Sequence, residues 1–223
     1  MKQLMIPQLY NISETIASDY MKIFEYPWQL LPHIGEYTRK IGKALDPAIF
    51  DEVDECVWIA KSAEVAKTAM IEGPCIIDES AEIRHCVYIR GNAIVGKFAV
   101  VGNSTEIKNS LLFNWVQVPH YNYIGDSILG WKAHFGAGAI TSNVKADGTL
   151  VNIKAGKIIE SGLKKVGAMI GDNVEVGCNT VLNPGTVIGR NSVIYPMSMV
   201  RGYVPADSIY KKQGEIADRI MAH

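Results

Sequence analysis

From Trp58 onward, bulky apolar residues return at every sixth position. Ile59, Val65, Ile71, Ile77, Ile83, Ile89, Val95, Val101, Ile107 and Phe113 keep this spacing without a gap. A second run follows in Ile170, Val176, Leu182, Ile188, Ile194 and Val200. Four residues after most of these stands a small or branched side chain: Ala63, Ala69, Cys75, Ala81, Val87, Ala93, Ala99 and Thr105, then Val174, Thr180, Thr186, Ser192, Ser198 and Val204. Neither a period of 2 nor one of 3.6 gives such a pattern. A six-residue repeat predicts a parallel β-helix, in which three short strands make one triangular coil of about 18 residues. The aliphatic side chain points into the prism, and the small one fills the tight corner beside it. Each coil buries its interior only against its neighbours, so the two ends need caps.

The departures from the beat mark the other elements. Residues 9–45 predict helices, with a capping-box-like start at Asn11 and Glu14 and Trp28, Leu31, Ile34, Ile41 and Leu45 at helical spacing. The tail GEIADRIMAH predicts a short helix. Both are expected to act as lids or oligomer contacts. Residues 144–168 interrupt the repeat, and VNIK and KIIE around Ala155-Gly156 predict a projecting hairpin. Two steps of five replace six, from Phe113 to Val118 and from Ile124 to Leu129. The chain thus divides into a helical cap (1–52), a β-helix (53–205, with the insertion) and a helical tail (206–223).

Composition narrows the function. A 48% hydrophobic fraction across 223 residues supports a sizeable core. A net charge of −1 argues against a nucleic-acid partner. No signal peptide opens the chain and no apolar run is long enough to span a membrane, so no membrane partner is expected. Cys56, Cys75, Cys86 and Cys178 form no C-x-x-C pair and read as small buried hydrophobes in a reducing cytoplasm. No metal is expected. A β-helical carbonic anhydrase would share the prism, but it needs clustered metal-binding histidines, and His33, His85, His120, His134 and His223 are widely spaced.

Several residues could carry chemistry. Arg90 and Lys108 each follow an inward aliphatic and stand one coil apart, which predicts two stacked cations. Like charges that close repel unless an anion lies between them, and a phosphate meets that need. Solvated surface residues are the plainer alternative. His120 lies just after a five-residue step and is a candidate general base, since imidazole titrates near neutrality. A lone histidine is more often structural. Gly136-Ala137-Gly138 lacks bulky side chains, so a ligand can approach its backbone. Lys145, Lys154, Lys157, Lys164 and Lys165 make the insertion basic, either as a solvated loop or as a lid over a phosphate.

Four stretches, NSTEIK, VPHYNYIGDS, FGAGAITSN and KKVGAMIGDNVEVG, carry a resemblance. In matching order they resemble the acetyltransferase domain of bifunctional N-acetylglucosamine-1-phosphate uridyltransferases and of archaeal sugar-1-phosphate nucleotidyltransferases. The resemblance implies a mainly β, left-handed parallel β-helix acting as a homotrimer with intersubunit active sites. It implies acetyl-CoA as acyl donor and an amino-sugar phosphate, such as a hexosamine 1-phosphate, as acceptor. His120 matches the catalytic base. Arg90, Lys108, Tyr123, Asn143 and Lys165 match substrate ligands, and His134 stands where the bacterial enzymes have a substrate-site Asn. Ala137 and Cys178 match the acetyl-CoA side, Pro196 is placed with them as a cofactor-binding candidate, and Lys212, like Lys211, is a candidate to meet the CoA phosphates. No G-x-G-T-R loop opens the chain, so only the acetyl-transfer half is implied. A non-catalytic trimer that binds a nucleotide sugar or a partner protein remains the alternative at this point.

Overall fold

The structure is a computed structural model that describes residues 1–219. It is the expected prism. Three faces of nine, seven and nine strands wind along one axis, parallel except for the end strands Phe50–Asp54 and Glu215–Asp218. The first face runs through Val57–Ala60, Cys75–Ile77, Ala93–Val95, Ser110–Leu112, Ile128–Leu129, Ala168–Ile170, Thr186–Ile188 and Tyr203–Val204. The second includes Val100–Asn103, Gln117–His120, His134–Phe135, Glu175–Val176 and Val193–Ile194. The third includes Tyr88–Arg90, Glu106–Lys108, Tyr123–Gly125, Ile140–Thr141 and Val181–Leu182.

The interior is the aliphatic stack that the sequence predicts. Ile77, Ile89, Val95, Val101, Ile107, Ile170, Leu182 and Ile188 are wholly buried, as are the small corner residues Ala93, Ala99, Thr180 and Thr186. Burying each such aliphatic side chain contributes roughly 1.5–3 kcal/mol. Only the lowest coil is open, where Val65 is 36% exposed because no coil lies beneath it.

Most corners between faces are turned by a residue in the left-handed region. The corner from second to third face uses Cys86, Ser104, Tyr121, Gly138, Asn179 and Met197, and the next corner uses Asn92, Asn109 and Asp126. These residues locate the shortened steps. One lies between Ile124 and Leu129, as expected. The other is not between Phe113 and Val118. It lies between Ile107 and Leu112, because Leu112 is the Cα partner of both Val95 and Leu129 while Val118 partners Val101. Leu112 and Phe113 are both apolar and both buried, so a count of hydrophobic positions overruns by one. The dropped residue therefore shortens the corner at Asn109 and leaves the strand leading to His120 at full length.

The N-terminal residues are not a lid on the end of the prism. Short helices at Ile6–Leu9, Ser18–Met21 and Ile34–Gly42, joined by 3₁₀ turns, lie along the side of the first face. That face turns an apolar row outward: Trp58, Ile76, Ile94, Leu111, Ile128, Met169 and Val187, all buried. Leu4, Leu9, Trp28, Leu30 and Ile34 form one core with it. Polar ties fix the layer. The Asn11 amide donates to Asp172 (2.6 Å), and Asn114 Nδ2 donates to Glu14 (3.1 Å). The capping box at Asn11 is thus half formed. Asn11 accepts from the Ser13 amide, and Glu14 turns to the prism instead.

Three further expectations are corrected. The tail is a β-hairpin, with Ser208–Lys212 extending the second face and Glu215–Asp218 pairing back on it; the remainder of the expected helix, residues 220–223, lies outside the described residues. The inserted hairpin, Asn152–Ala155 paired with Lys157–Glu160, does not project. Val151 and Ile153 are buried, and its first strand packs on the prism corners at Gly185 and Gly202, whose positive φ values leave no room for a side chain against Asn152 and Lys154. Finally, Cys75 is buried at an inward corner place, but Cys86 and Cys178 are exposed and Cys56 is half-buried, because those positions fall on the outward phase of the repeat.

Candidate active site

Two groups of predicted residues gather along the third face, one at each edge. The edge shared with the second face carries a vertical row. His120 partners Asn103. Above it, Gly138 donates its amide to the His120 carbonyl (3.0 Å), Asn179 to Ala137 (2.8 Å), and Met197 to Cys178 (2.8 Å). His120, Ala137 and Cys178 therefore stack one strand spacing apart, roughly 4.8 Å per coil. Pro196 and Lys212 continue the row, each two residues beyond the Ile194–Tyr210 pair. The residues just above His120 are small, and the coils pack closely at this edge. A side chain at Gly136 would stand 2.6 Å from the Cys178 amide nitrogen, and one at Gly177 would stand 2.4 Å from that of Pro196. At the top, Lys212 Nζ lies 3.1 Å from Glu215.

His120 is exposed, and its backbone is set by a buried residue that sequence reading passed over. Asn122 is 3% exposed. Its Oδ1 accepts the His120 amide (3.1 Å), and its Nδ2 donates to the carbonyls of Gly136 (2.9 Å) and Ala139 (3.0 Å). One side chain thus ties the histidine's coil to the Gly-Ala-Gly coil above. Between them Tyr121 takes φ +51°, the left-handed value the corner requires. Among the described residues, no hydrogen bond holds the His120 imidazole.

The opposite edge carries a polar cluster centred on Asp126, also unremarked in the sequence. Asp126 is 4% exposed. It accepts from Asn143 Nδ2 (2.5 Å) and Asn109 Nδ2 (2.8 Å), and Lys108 Nζ lies 3.5 Å away. Asn143 Nδ2 also reaches the Tyr123 hydroxyl (3.2 Å). Burial is the main cause that pushes the Tyr123 phenol above its ordinary range. Lys165 forms a backbone bridge with Val144, and Gly167 donates to the Asp126 carbonyl (2.8 Å), so the insertion closes at this cluster. Arg90 stands one coil from Lys108 as expected, but the pair is not an unmatched stack of cations. Arg90 Nη1 meets Glu106 (2.7 Å), and Lys108 has Asp126. The protein's own carboxylates already supply the anion that stacking alone demanded.

The two edges lie apart. Between His120 and Gly125 the chain turns the corner at Tyr121 and Asn122 and then crosses the face in the strand Tyr123–Gly125, so the imidazole and the Asp126 cluster stand at different corners of the prism. The shortened corner turns Lys108 and Asp126 together rather than re-aiming His120. His134 belongs to neither edge. It faces outward on the second face with Nδ1 2.7 Å from Glu175, beside a depression of about 300 Å³ that Trp115 and Lys132 help to line. The Glu175 hydrogen bond raises its pKa.

Residues 71–165 match the family described as the GMPPB C-terminal domain, and residues 167–202 match the bacterial transferase hexapeptide family. The chain is 35% identical over 219 residues to the bifunctional protein GlmU of Methanococcus maripaludis, covering 96% of this chain and 52% of that protein. It is 36% identical over 227 residues to the bifunctional sugar-1-phosphate nucleotidylyltransferase/acetyltransferase of Sulfurisphaera tokodaii, covering 92% of this chain and 54% of that protein. Among solved structures, PerB from Caulobacter crescentus, in complex with CoA and GDP-perosamine, is 15% identical with a TM-score of 0.36, over 69% of this chain and 52% of that one. The chain spans about half the length of the curated relatives it matches. With its coil geometry, the chain is a hexapeptide-repeat β-helix similar to the acetyltransferase part of archaeal bifunctional sugar-1-phosphate nucleotidylyltransferases.

Proposed function

We propose that this chain transfers an acetyl group from acetyl-CoA to the amino group of an amino-sugar phosphate such as a hexosamine 1-phosphate. The observation that supports this best is the row of His120, Ala137, Cys178, Pro196 and Lys212 along one edge. A base at the lower end, small residues above it and a cation at the top suit an extended thioester with a phosphate at its far end. On this reading the row at Ala137, Cys178 and Pro196 lies along acetyl-CoA, and Lys212 meets a phosphate. Arg90 and Lys108 bind the sugar phosphate by exchanging their carboxylate partners for phosphoryl oxygens. Tyr123, Asn143 and Lys165 orient the sugar.

The sugar ammonium first gives one proton to solvent; as the neutral amine attacks the thioester carbonyl, the His120 imidazole takes a second proton from its nitrogen. A new C–N bond forms as the C–S bond breaks. The thiolate leaves and takes up the proton that the imidazolium holds. Because one chain separates the base from the phosphate cluster, the working unit on this reading is a homotrimer, with sites between neighbouring prisms. His134 has no step of its own here. Its partner Glu175 occupies it on the second face.

The test is release of CoA thiol by the purified chain with glucosamine 1-phosphate, galactosamine 1-phosphate and their unphosphorylated amines. Turnover is expected only with a phosphate present, and His120→Ala should lower kcat by about 10²-fold or more. Turnover that survives His120→Ala, or ligand binding with no CoA release for any amino sugar, refutes the reading.

A further inference from the structure

Two cysteines are exposed along the edge shared by the second and third faces, Cys86 and Cys178. Their surroundings differ. Among the described residues, no hydrogen bond reaches the Cys178 thiol. The Cys86 Sγ lies 3.1 Å from His85 Nε2, and on the far side of that ring Nδ1 lies 2.7 Å from Thr68 Oγ1. Cys86 turns its corner at φ +57°, so its side chain need not alternate with that of His85 as it would along a strand.

Coils on both sides hold this corner. From the coil below, Thr68 Oγ1 also accepts the Cys86 amide (3.4 Å). From the coil above, Asn103 Nδ2 (3.2 Å) and the Ser104 amide (3.3 Å) donate to the His85 carbonyl. Asn103 in turn partners His120. His85 is therefore two coils beneath His120, whereas Ala137, Cys178 and Pro196 stand above it, and the cluster is separate from the row proposed for acetyl transfer.

With Nδ1 donating to the Thr68 oxygen, the Nε2 lone pair faces the Cys86 thiol. A thiol, a base within hydrogen-bond reach and a third group that orients the base form the arrangement that activates a cysteine nucleophile. The reacting species is the thiolate, and an adjacent imidazole that takes up the proton supplies it. Cys178 is as open to solvent but has no such neighbour, so the molecule carries its own reference thiol.

We propose that Cys86 is an activated thiol that exchanges with small disulfides, with His85 as its proton acceptor and Thr68 as the residue that positions the imidazole. The Cys86 sulfur attacks one sulfur of the disulfide, and a new S–S bond forms as the old one breaks. His85 takes the thiol proton and gives it to the leaving thiolate. The exchange needs no oxidant beyond the disulfide itself, and its product is a mixed disulfide at Cys86.

The experiment treats the full chain with oxidised glutathione and, separately, with a limiting amount of iodoacetamide, and follows each cysteine by peptide mass spectrometry. With both reagents Cys86 is expected to react at least about tenfold faster than Cys178. His85→Ala should bring Cys86 down to the rate of Cys178, and Thr68→Val should fall between that variant and the wild type. His85, Cys86 and Thr68 are exposed. Should the alanine variant disturb the corner, His85→Gln keeps a polar side chain without a basic nitrogen and should react as slowly. The proposal is overturned if Cys86 in the wild type reacts no faster than Cys178, or if both His85 variants keep the wild-type rate. Rapid alkylation with no glutathione adduct would show that a disulfide does not reach the thiol, and would overturn the exchange.

Discussion

Replacing Asn122 with alanine separates positioning from chemistry at the histidine edge. Its side chain makes three bonds inside the corner: one from the His120 amide and two to the carbonyls of Gly136 and Ala139. The Gly136 carbonyl keeps a second partner, the Ala139 amide at 3.2 Å. Asn122→Ala therefore leaves two backbone groups, the His120 N–H and the Ala139 C=O, to lose their side-chain partner at a buried site. At ~1–3 kcal/mol for each buried group left unsatisfied, the loss is about 2–6 kcal/mol. Urea unfolding measures it as a shift of midpoint at constant slope. Because the same side chain aligns His120 with Ala137, CoA release should fall through kcat more than through KM for the sugar. Asn122→Asp keeps an acceptor for the His120 amide but loses the two donated bonds, and should lie between alanine and wild type in activity. A stability loss below about 0.5 kcal/mol, within the range of an unimportant surface change, would refute the reasoning. So would an alanine variant that turns over like the wild type.

Two further outcomes follow from other parts of the molecule. Glu175 raises the His134 pKa in the folded chain, so this pair stabilises the fold fully below the unfolded histidine's pKa of ~6.5, and the contribution is lost as pH rises through the higher folded value; Glu175→Gln should lower the His134 midpoint in an NMR titration and remove that pH dependence, and an unchanged midpoint would count against the pairing. Gly42→Ala would place a methyl group 2.2 Å from the rigid Trp58 ring. That overpacking should cost about 1–3 kcal/mol and expose Trp58, seen as a red shift of its fluorescence, whereas an unshifted spectrum at wild-type stability would mean that the helix does not bear on the ring.

Much of the prism was legible because inward positions obey a count. Ile77, Ile107 and Leu182 point inward as the six-residue beat requires, and the short step from Ile124 to Leu129 is where it was expected. The count failed where two apolar neighbours competed, at Leu112 and Phe113. It also hid the outward row of Ile76, Ile94, Leu111 and Ile128. Those residues recur once per coil, at 18- and 17-residue intervals, and that signal announces a covered face. The tail misled because an exposed alternation of polar and apolar residues suits a helix or an edge strand, and the free ladder at Ser208–Lys212 decided for the strand. At the site, the candidates His120, Tyr123 and Asn143 were named through resemblance. Asn122 and Asp126 stood in the same stretch and were passed over, since a hydrogen-bond hub leaves no periodicity and shows itself only when its partners from other coils are in place.

A stack of coils is ordinarily a one-dimensional object, each coil answering only to the next. The N-terminal layer alters that here. Trp58, Asn109, Asn114 and Asp172 belong to different coils, and Gly42, Leu31, Glu14 and Asn11 meet them in turn. The first segment of the chain acts as a splint laid across the stack, so a middle coil cannot peel away without lifting contacts made several coils distant. Unfolding of the covered coils is bound into one cooperative event. The last turns lie beyond the splint's reach and are tied instead by the inserted hairpin at Gly185 and Gly202; they are the turns that carry Pro196 and Lys212.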